Sequence, residues 1–294
     1  MALLGERVSF DEPMSKHTSL RVGGPADAFA RPASRAELAR VIALCREHEL
    51  PLHVLGAGFN TIVPDAGLRA LVLRLSGLRT LERDDAGGVR AESGASHSSV
   101  TRFCAAQGLS GLEFAVGIPG SVGGWLAMNA GIGSREMKDV VDRIELMDPV
   151  TGNVQELEAE QIRFRYRALE VPAHSVLLAA RFRMQPAEPN EIRARMRQLL
   201  TKRRESQPLN RLSCGSVFKN PPGDAAGRLI ESAGLKGQRA GGAEISTVHA
   251  NFIVNRGEAT TVDVLQLVDR ARTEVLRQFG IELEPEVRVL GEES

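Results

Sequence analysis

The stretch Gly111–Gly131, GLEFAVGIPGSVGGWLAMNAG, decides the fold class. Its apolar length invites a membrane span, and Glu113 is its single charge. Six glycines and Pro119 argue the other way, because that composition makes a poor spanning helix and a good loop around a ligand. A second glycine loop, Gly56–Asn60 (GAGFN), follows the strand-like run Leu52–Leu55 and precedes another extended run, Thr61–Val63. Thr61 stands where a dinucleotide fingerprint requires its third glycine, and no helix follows, so a Rossmann site is not supported. Alone, this loop reads as a turn. Two such loops in one chain point to a large, phosphate-bearing ligand, because backbone without a Cβ brings its N–H groups close to an anion.

Outward from these loops the chain divides by pattern. Ser34 with Glu37 reads as a capping box that opens a helix through Leu50. Leu38, Val41, Ile42 and Cys45 share its apolar face, and Pro51 ends it. Leu71–Leu75 alternates like a strand. Turn chemistry at Asp84–Gly88 precedes a helix over Val100–Ala106 that Gly108 closes. Val141–Met147 and Ser175–Arg183 read as strands of an antiparallel or mixed sheet, with a turn at Asp148–Asn153. A charged helix, Glu191–Arg204, leads into Ser206–Gly215, which reads as irregular and marks a boundary. Beyond it lie a helix near Ala225–Ala233 and a longer one over Thr261–Phe279. The latter is expected to turn Leu265, Val268, Val275 and Phe279 inward and to stop at Gly280.

Thirty-seven basic residues balance thirty-seven acidic ones, so no net field draws a polyanion and no nucleic-acid partner is expected. Cys45, Cys104 and Cys214 have the spacing of neither a zinc site nor a disulfide framework, which suggests a reducing compartment. Met1–Phe10 carries Glu6 and only a short apolar run, unlike a signal peptide. The six histidines lack i, i+4 pairing, so no metal site is expected. The expectation is a cytoplasmic protein without membrane contact.

In Ser213–Pro221 (SCGSVFKNP) small, polar and cationic groups crowd a probable loop. Phe218 stands in place of the last glycine of a serine-hydrolase elbow and disfavours that chemistry. Read singly, Ser216 is a turn residue, Arg167 in Phe164–Arg167 a solvated strand charge, and Glu286 in Leu283–Arg288 a strand-edge carboxylate. His249 reads as a hydrogen-bonded structural residue. Trp125 and Tyr166, the only residues of their types, are candidates for the core.

Taken in series, TSLRVGGPA from Thr18 to Ala26, LGAGFN, GLEFAVGIPGSVGG, MNAG, FRYR, GSVFKNP, LIESAGLKG, GGAEISTVHANFIVN and LEPEVR resemble the UDP-N-acetylenolpyruvoylglucosamine reductases, flavoenzymes of bacterial cell-wall precursor synthesis. The likeness covers nearly the whole chain in family order. No long insertion separates Tyr166 from Ser216, which matches the shorter subgroup. The resemblance implies an α+β chain: a PCMH-type FAD-binding fold of two subdomains, 1–76 and 77–205, followed by an α+β substrate-binding domain, 206–294. It implies FAD as cofactor, NADPH as hydride donor, a nucleotide-sugar substrate and a monomer. It also assigns the flavin and its pyrophosphate to Gly56, Gly58, Asn60, Gly120, Ser121, Gly124, Asn129 and Gly131. Two residues depart from the family pattern: Phe59 replaces a usual serine and Trp125 a small residue, changes that backbone donors would survive.

The implied reaction passes a hydride from NADPH through the flavin to the enolpyruvyl double bond. Negative charge then spreads over C2 and the carboxylate of the substrate. The resemblance gives Arg167 the task of stabilising it, through a permanently charged planar fork worth roughly 3–4 kcal/mol in the transition state. Ser216 matches the proton donor to C2, and Glu286 the partnering carboxyl group, expected to be protonated part of the time because an ionised neighbour would repel the developing anion. Tyr166 and Asn220 match substrate-contacting positions, and Lys219 is expected to help neutralise phosphate. The alternatives are a flavin-dependent oxidase or dehydrogenase of an alcohol or sugar on the same cofactor fold, and a catalytically inactive flavin-binding module.

Overall fold

Ser34 opens helix α1, Arg35–Glu47, and its hydroxyl accepts the Glu37 N–H at 3.2 Å. The predicted stripe of Leu38, Val41, Ile42 and Cys45 is buried as read. Only half of the capping box forms. The Glu37 carboxylate takes the N–H of Ala33 at 2.8 Å and both guanidinium nitrogens of Arg7 at 2.7 Å, a stronger bidentate partner than one exposed amide. The computed structural model describes Leu4–Gly291, so the first three residues of Met1–Phe10 lie outside the described residues.

Contacts group the chain into two units, the first comprising the chain up to Ser9, Ala28–Ala57 and Ala70–Lys202, the second Phe10–Asp27, Gly58–Arg69 and the chain from Arg203 onward. In the first unit Leu52–Leu55 pairs in parallel with Leu71–Arg74, and the α1 stripe packs on Leu73, Leu75 and Leu178. A five-stranded sheet runs in the order Val154–Glu158, Val141–Met147, Val176–Phe182, Val89–Glu92, Leu81–Arg83, antiparallel throughout. Helix α2, His97–Ala106, starts three residues before the predicted helix because Ser96 accepts the Ser99 N–H. Together with α3, Val122–Ala127, it closes a core over that sheet. The glycine-rich stretch is thus folded into short pieces around Trp125, 1% exposed, whose indole N–H reaches the Ile118 carbonyl at 3.1 Å. Among the described residues no helix is long and apolar enough to cross a membrane. Helix α4, Pro189–Ser206, buries only Ile192.

The second unit carries an antiparallel sheet in the order Leu212–Ser216, Phe252–Asn255, Ala243–Ile245, Arg239–Ala240. Helices α5, Ala226–Ser232, and α6, Thr261–Phe279, share its core. A complete capping box of Thr260 and Asp263 starts α6, and Gly280 at φ +68 stops it. Two expectations are corrected here. Ser206–Gly215 is not irregular throughout, because Leu212–Ser216 is a strand whose alternation small and polar side chains concealed. Phe279 is 38% exposed, and Val264, Leu267, Val268, Ala271 and Val275 form the buried stripe of α6, with Leu265 at its margin.

Candidate active site

In the first unit the two glycine loops meet. A Cβ on Gly56 would lie 2.9 Å from the Ser121 Oγ, so a side chain there would have to displace that hydroxyl. Ser121 sits at the N-cap of α3 without capping it, and its buried hydroxyl has no hydrogen-bond partner among the described residues. Gly120, at φ +125, and Gly124 are uncrowded: a Cβ on Gly120 would meet only Trp125 at 3.9 Å and one on Gly124 only the Ser121 Oγ at 3.8 Å. Glycines with room at Gly120 and Gly124, beside a hydroxyl awaiting an acceptor, fit the phosphate-bearing portion of a flavin dinucleotide. Gly131 differs, because its Cβ would strike the Arg135 carbonyl at 2.4 Å, a demand of the chain itself.

Asn129 is fully buried at φ +39 and its amide is committed to the protein. Its Nδ2 donates to Glu136 Oε2 and to the Arg165 carbonyl, each at 3.0 Å, and its Oδ1 accepts the Lys138 N–H at 3.0 Å. This network anchors a hairpin of Arg163–Arg165 and Ala168–Glu170. Tyr166 and Arg167 are its two turn residues, and only the second, Arg167, adopts positive φ, at +56, the pattern of a type II turn. Arg167 is therefore not the solvated strand charge that spacing suggested. Its side chain is 18% exposed, donates to the Gly131 carbonyl at 3.4 Å, lies 3.6 Å from Glu136 Oε1 and stacks 4.9 Å from the centre of the Tyr166 ring. Tyr166 itself is 45% exposed, not a core residue.

In the second unit Ser216 ends its strand just after Gly215, which takes φ +96. The segment Glu284–Arg288 runs beside it. Glu286 N–H donates to the Val217 carbonyl at 2.8 Å, Lys219 N–H donates to the Glu284 carbonyl at 2.9 Å, and Phe218 bridges Pro285. The hydroxyl of Ser216 and the carboxyl of Glu286 thus belong to facing segments, with the residue after Ser216 paired to Glu286. Asn60 ties the pair together at φ +57. Its N–H reaches the Cys214 carbonyl at 2.9 Å, its Nδ2 the Glu286 carbonyl at 2.8 Å, and its own carbonyl accepts the Arg288 N–H at 3.1 Å. Gly58 is forced by packing, since a Cβ would stand 1.9 Å from the His17 carbonyl.

Lys219 pairs with Glu284, and Asn220 Oδ1 accepts the Ala226 N–H at 3.1 Å, which holds the first turn of α5. His249 has the structural role read from its sequence. Its Nδ1 accepts the Asn251 N–H at 3.2 Å, its ring packs edge-on to Phe252, and burial lowers its pKa. Burial likewise pushes the thiols of Cys104 and Cys214 up to about 12, with the charge of Glu286 adding to the shift at Cys214. All three cysteines are buried and free, and no side-chain cluster among the described residues suits a metal ion.

Two residues escaped the sequence reading. Asn251 locks Phe218 with two side-chain bonds of 2.8 and 2.9 Å, and Glu136 gathers Asn129, Lys138 and Arg167. Glu136 offers only the pattern of one more surface carboxylate three residues from Asp139. A cavity of about 940 Å³ in the first unit includes none of the residues assigned to the site. Three of its cations pair with its own acids, Arg195 with Glu113, Arg135 with Asp139 and Arg181 with Asp142.

Residues 26–158 match the family described as FAD binding domain, and residues 207–290 the family described as UDP-N-acetylenolpyruvoylglucosamine reductase, C-terminal domain. A UDP-N-acetylenolpyruvoylglucosamine reductase of Geobacillus thermodenitrificans is 44% identical over all of this chain and 96% of its own. UDP-N-acetylenolpyruvoylglucosamine reductase 2 of Symbiobacterium thermophilum is 46% identical over 97% of this chain and 92% of its own. The crystal structure of the UDP-N-acetylenolpyruvylglucosamine reductase of Thermus caldophilus superposes with a TM-score of 0.82 at 36% identity, covering 96% of this chain and 97% of that one.

Proposed function

The chain belongs to the UDP-N-acetylenolpyruvoylglucosamine reductase family, and from that membership we propose how its own residues perform the family's reaction. It is an FAD-dependent oxidoreductase that uses NADPH to reduce the enolpyruvyl group of UDP-N-acetylglucosamine enolpyruvate in peptidoglycan precursor synthesis. When bound, FAD supplies the two-electron relay between NADPH and the substrate double bond. The remaining work falls to the protein.

In this reading Gly56, Gly120, Ser121 and Gly124 hold the flavin pyrophosphate, the Ser121 hydroxyl donating to an oxygen. Gly58, Asn60, Asn129 and Gly131 shape the loops that carry their motifs. Arg167 binds the substrate carboxylate through its fork and stabilises the charge that develops as hydride arrives at the terminal carbon. Tyr166 supports that guanidinium with its ring and meets the substrate with its exposed edge. Ser216 delivers its proton to C2, and Glu286 holds the hydroxyl and limits the charge left on the serine oxygen. Lys219 and Asn220 contact the nucleotide-sugar, with Lys219 placed to offset phosphate charge.

The observation that carries this reading is the stitching of Glu286 to the residue after Ser216, with Asn60 bonded to both segments. A hydroxyl donor and a carboxyl partner must be presented side by side, and the backbone pairing of their two segments supports that reading. A three-part division, 1–76 and 77–205 for FAD and 206–294 for substrate, follows the assigned roles. The family resemblance suggests a monomer, and reliance on NADPH and a nucleotide-sugar suits the cytoplasm.

The test is an anaerobic titration of the purified yellow protein. NADPH should bleach the flavin, and the enolpyruvyl substrate alone should restore its colour. Restoration by oxygen with turnover of an alcohol would instead establish the oxidase reading, and colour without turnover the inactive one.

A further inference from the structure

We infer that Glu136 is a positioning residue that fixes the guanidinium of Arg167 for the substrate carboxylate, an inference that rests on the role proposed for Arg167. Glu136 is 14% exposed, and its carboxylate collects three hydrogen-bond donors and one ion-pair partner. Lys138 Nζ approaches Oε2 at 2.8 Å and Asn129 Nδ2 approaches the same oxygen at 3.0 Å. The backbone N–H of Asp139 donates to it across the turn Met137–Asp139, while Arg167 Nη1 stands 3.6 Å from Oε1.

These partners are themselves fixed. Asn129 is held to the Arg165 carbonyl, two residues before Arg167, and Asp139 accepts the Glu136 N–H at 2.8 Å. Glu136 therefore joins the buried asparagine to the hairpin turn that carries Arg167. The Tyr166 ring sets the plane of the guanidinium and Glu136 sets its reach along that plane.

A carboxylate this close to a catalytic cation would weaken it if it stood alone. Lys138, paired with the same carboxylate, offsets that charge, so the cluster of Glu136, Lys138 and Arg167 sums to one positive charge. The incoming substrate carboxylate neutralises that charge. The guanidinium meets it already oriented, which spares the ordering that a free arginine side chain would require.

The test compares Glu136→Ala, Glu136→Gln, Arg167→Ala and the double variant Glu136→Ala/Arg167→Ala as flavin-loaded enzymes, with the two half-reactions followed by anaerobic stopped-flow. Glu136→Ala should leave flavin reduction by NADPH at the wild-type rate and slow reoxidation by the enolpyruvyl substrate about 10- to 100-fold. Glu136→Gln keeps an acceptor for Asn129 and should recover most of that loss, as a positioning role requires. In the Arg167→Ala background, adding Glu136→Ala should cost nothing further.

Equal losses with and without Arg167, or a Glu136→Ala enzyme that reoxidises at the wild-type rate while Arg167→Ala is slow, would overturn the inference alone. Wild-type reoxidation in Arg167→Ala would remove the reading of Arg167 itself, and this inference with it.

Discussion

Asn60 is where stability and catalysis are tied most tightly, and Asn60→Ala separates the contributions. The substitution removes the 2.8 Å bond from Nδ2 to the Glu286 carbonyl. Leaving that half-buried carbonyl unpaired costs about 1–1.5 kcal/mol. Asn60 also holds φ +57, a conformation asparagine tolerates and alanine resists by about 1 kcal/mol more. The expected destabilisation of Asn60→Ala is therefore about 2–2.5 kcal/mol. Asn60→Gly loses the hydrogen bond but is at ease at this φ, and should lose only about 1–1.5 kcal/mol. Urea unfolding of the flavin-loaded protein, read by far-UV circular dichroism, gives both values. Stopped-flow on the same samples should show slower reoxidation by substrate in both variants, because each removes the side-chain tie to the Glu286 carbonyl and leaves only the backbone bond to Arg288. Equal stability of the two variants, or losses below about 0.5 kcal/mol in both, would refute the reasoning.

Two further outcomes follow from the glycine loops and the buried histidine. Gly124→Ala has space for its methyl, so it should fold with near wild-type stability yet bind FAD more weakly, whereas Gly58→Ala, which meets the His17 carbonyl, should lose stability first; flavin fluorescence titration beside urea melts distinguishes them. His249 has its pKa lowered from 6.5 by burial, so the folded state favours the neutral ring. The stability this contributes is complete above the unfolded pKa and declines as pH falls through the window below it. His249→Asn should therefore lose less, relative to wild type, at pH 5 than at pH 8 in paired urea melts, and a constant difference would show that the ring does not titrate with folding.

The helices were legible wherever a cap and an apolar stripe agreed. Ser34 with Leu38–Cys45 located α1, and Val268 and Val275 with the stop at Gly280 located α6, because terminal signals and 3.6-residue spacing point to the same boundaries. Phe279 misled because its size suggests burial while its position in the last turn points outward. The strand Leu212–Ser216 was hidden because Ser213, Gly215 and Ser216 give no apolar alternation, and its place is set by pairing with Phe252–Asn255.

The site was legible as a set of motifs and illegible as a geometry. Arg167 reads as a surface charge until the hairpin turn and Glu136 are in place, since partners 31 residues apart leave no local pattern. Asn60 and Asn129 stand in glycine-rich motifs that suggested ligand contact. Their amides instead bond to distant parts of their own units, which place Glu286 and the Tyr166–Arg167 turn. Gly58 and Gly131 likewise answer to nearby backbone, while Gly120 and Gly124 leave the space that a ligand needs.

The proton donor offers the most direct measurement. In anaerobic stopped-flow, Ser216→Ala should accept electrons from NADPH at the wild-type rate and then form product slower by about two to four orders of magnitude, since a positioned proton donor contributes that much. Product formation by Ser216→Ala at the wild-type rate would contradict the account.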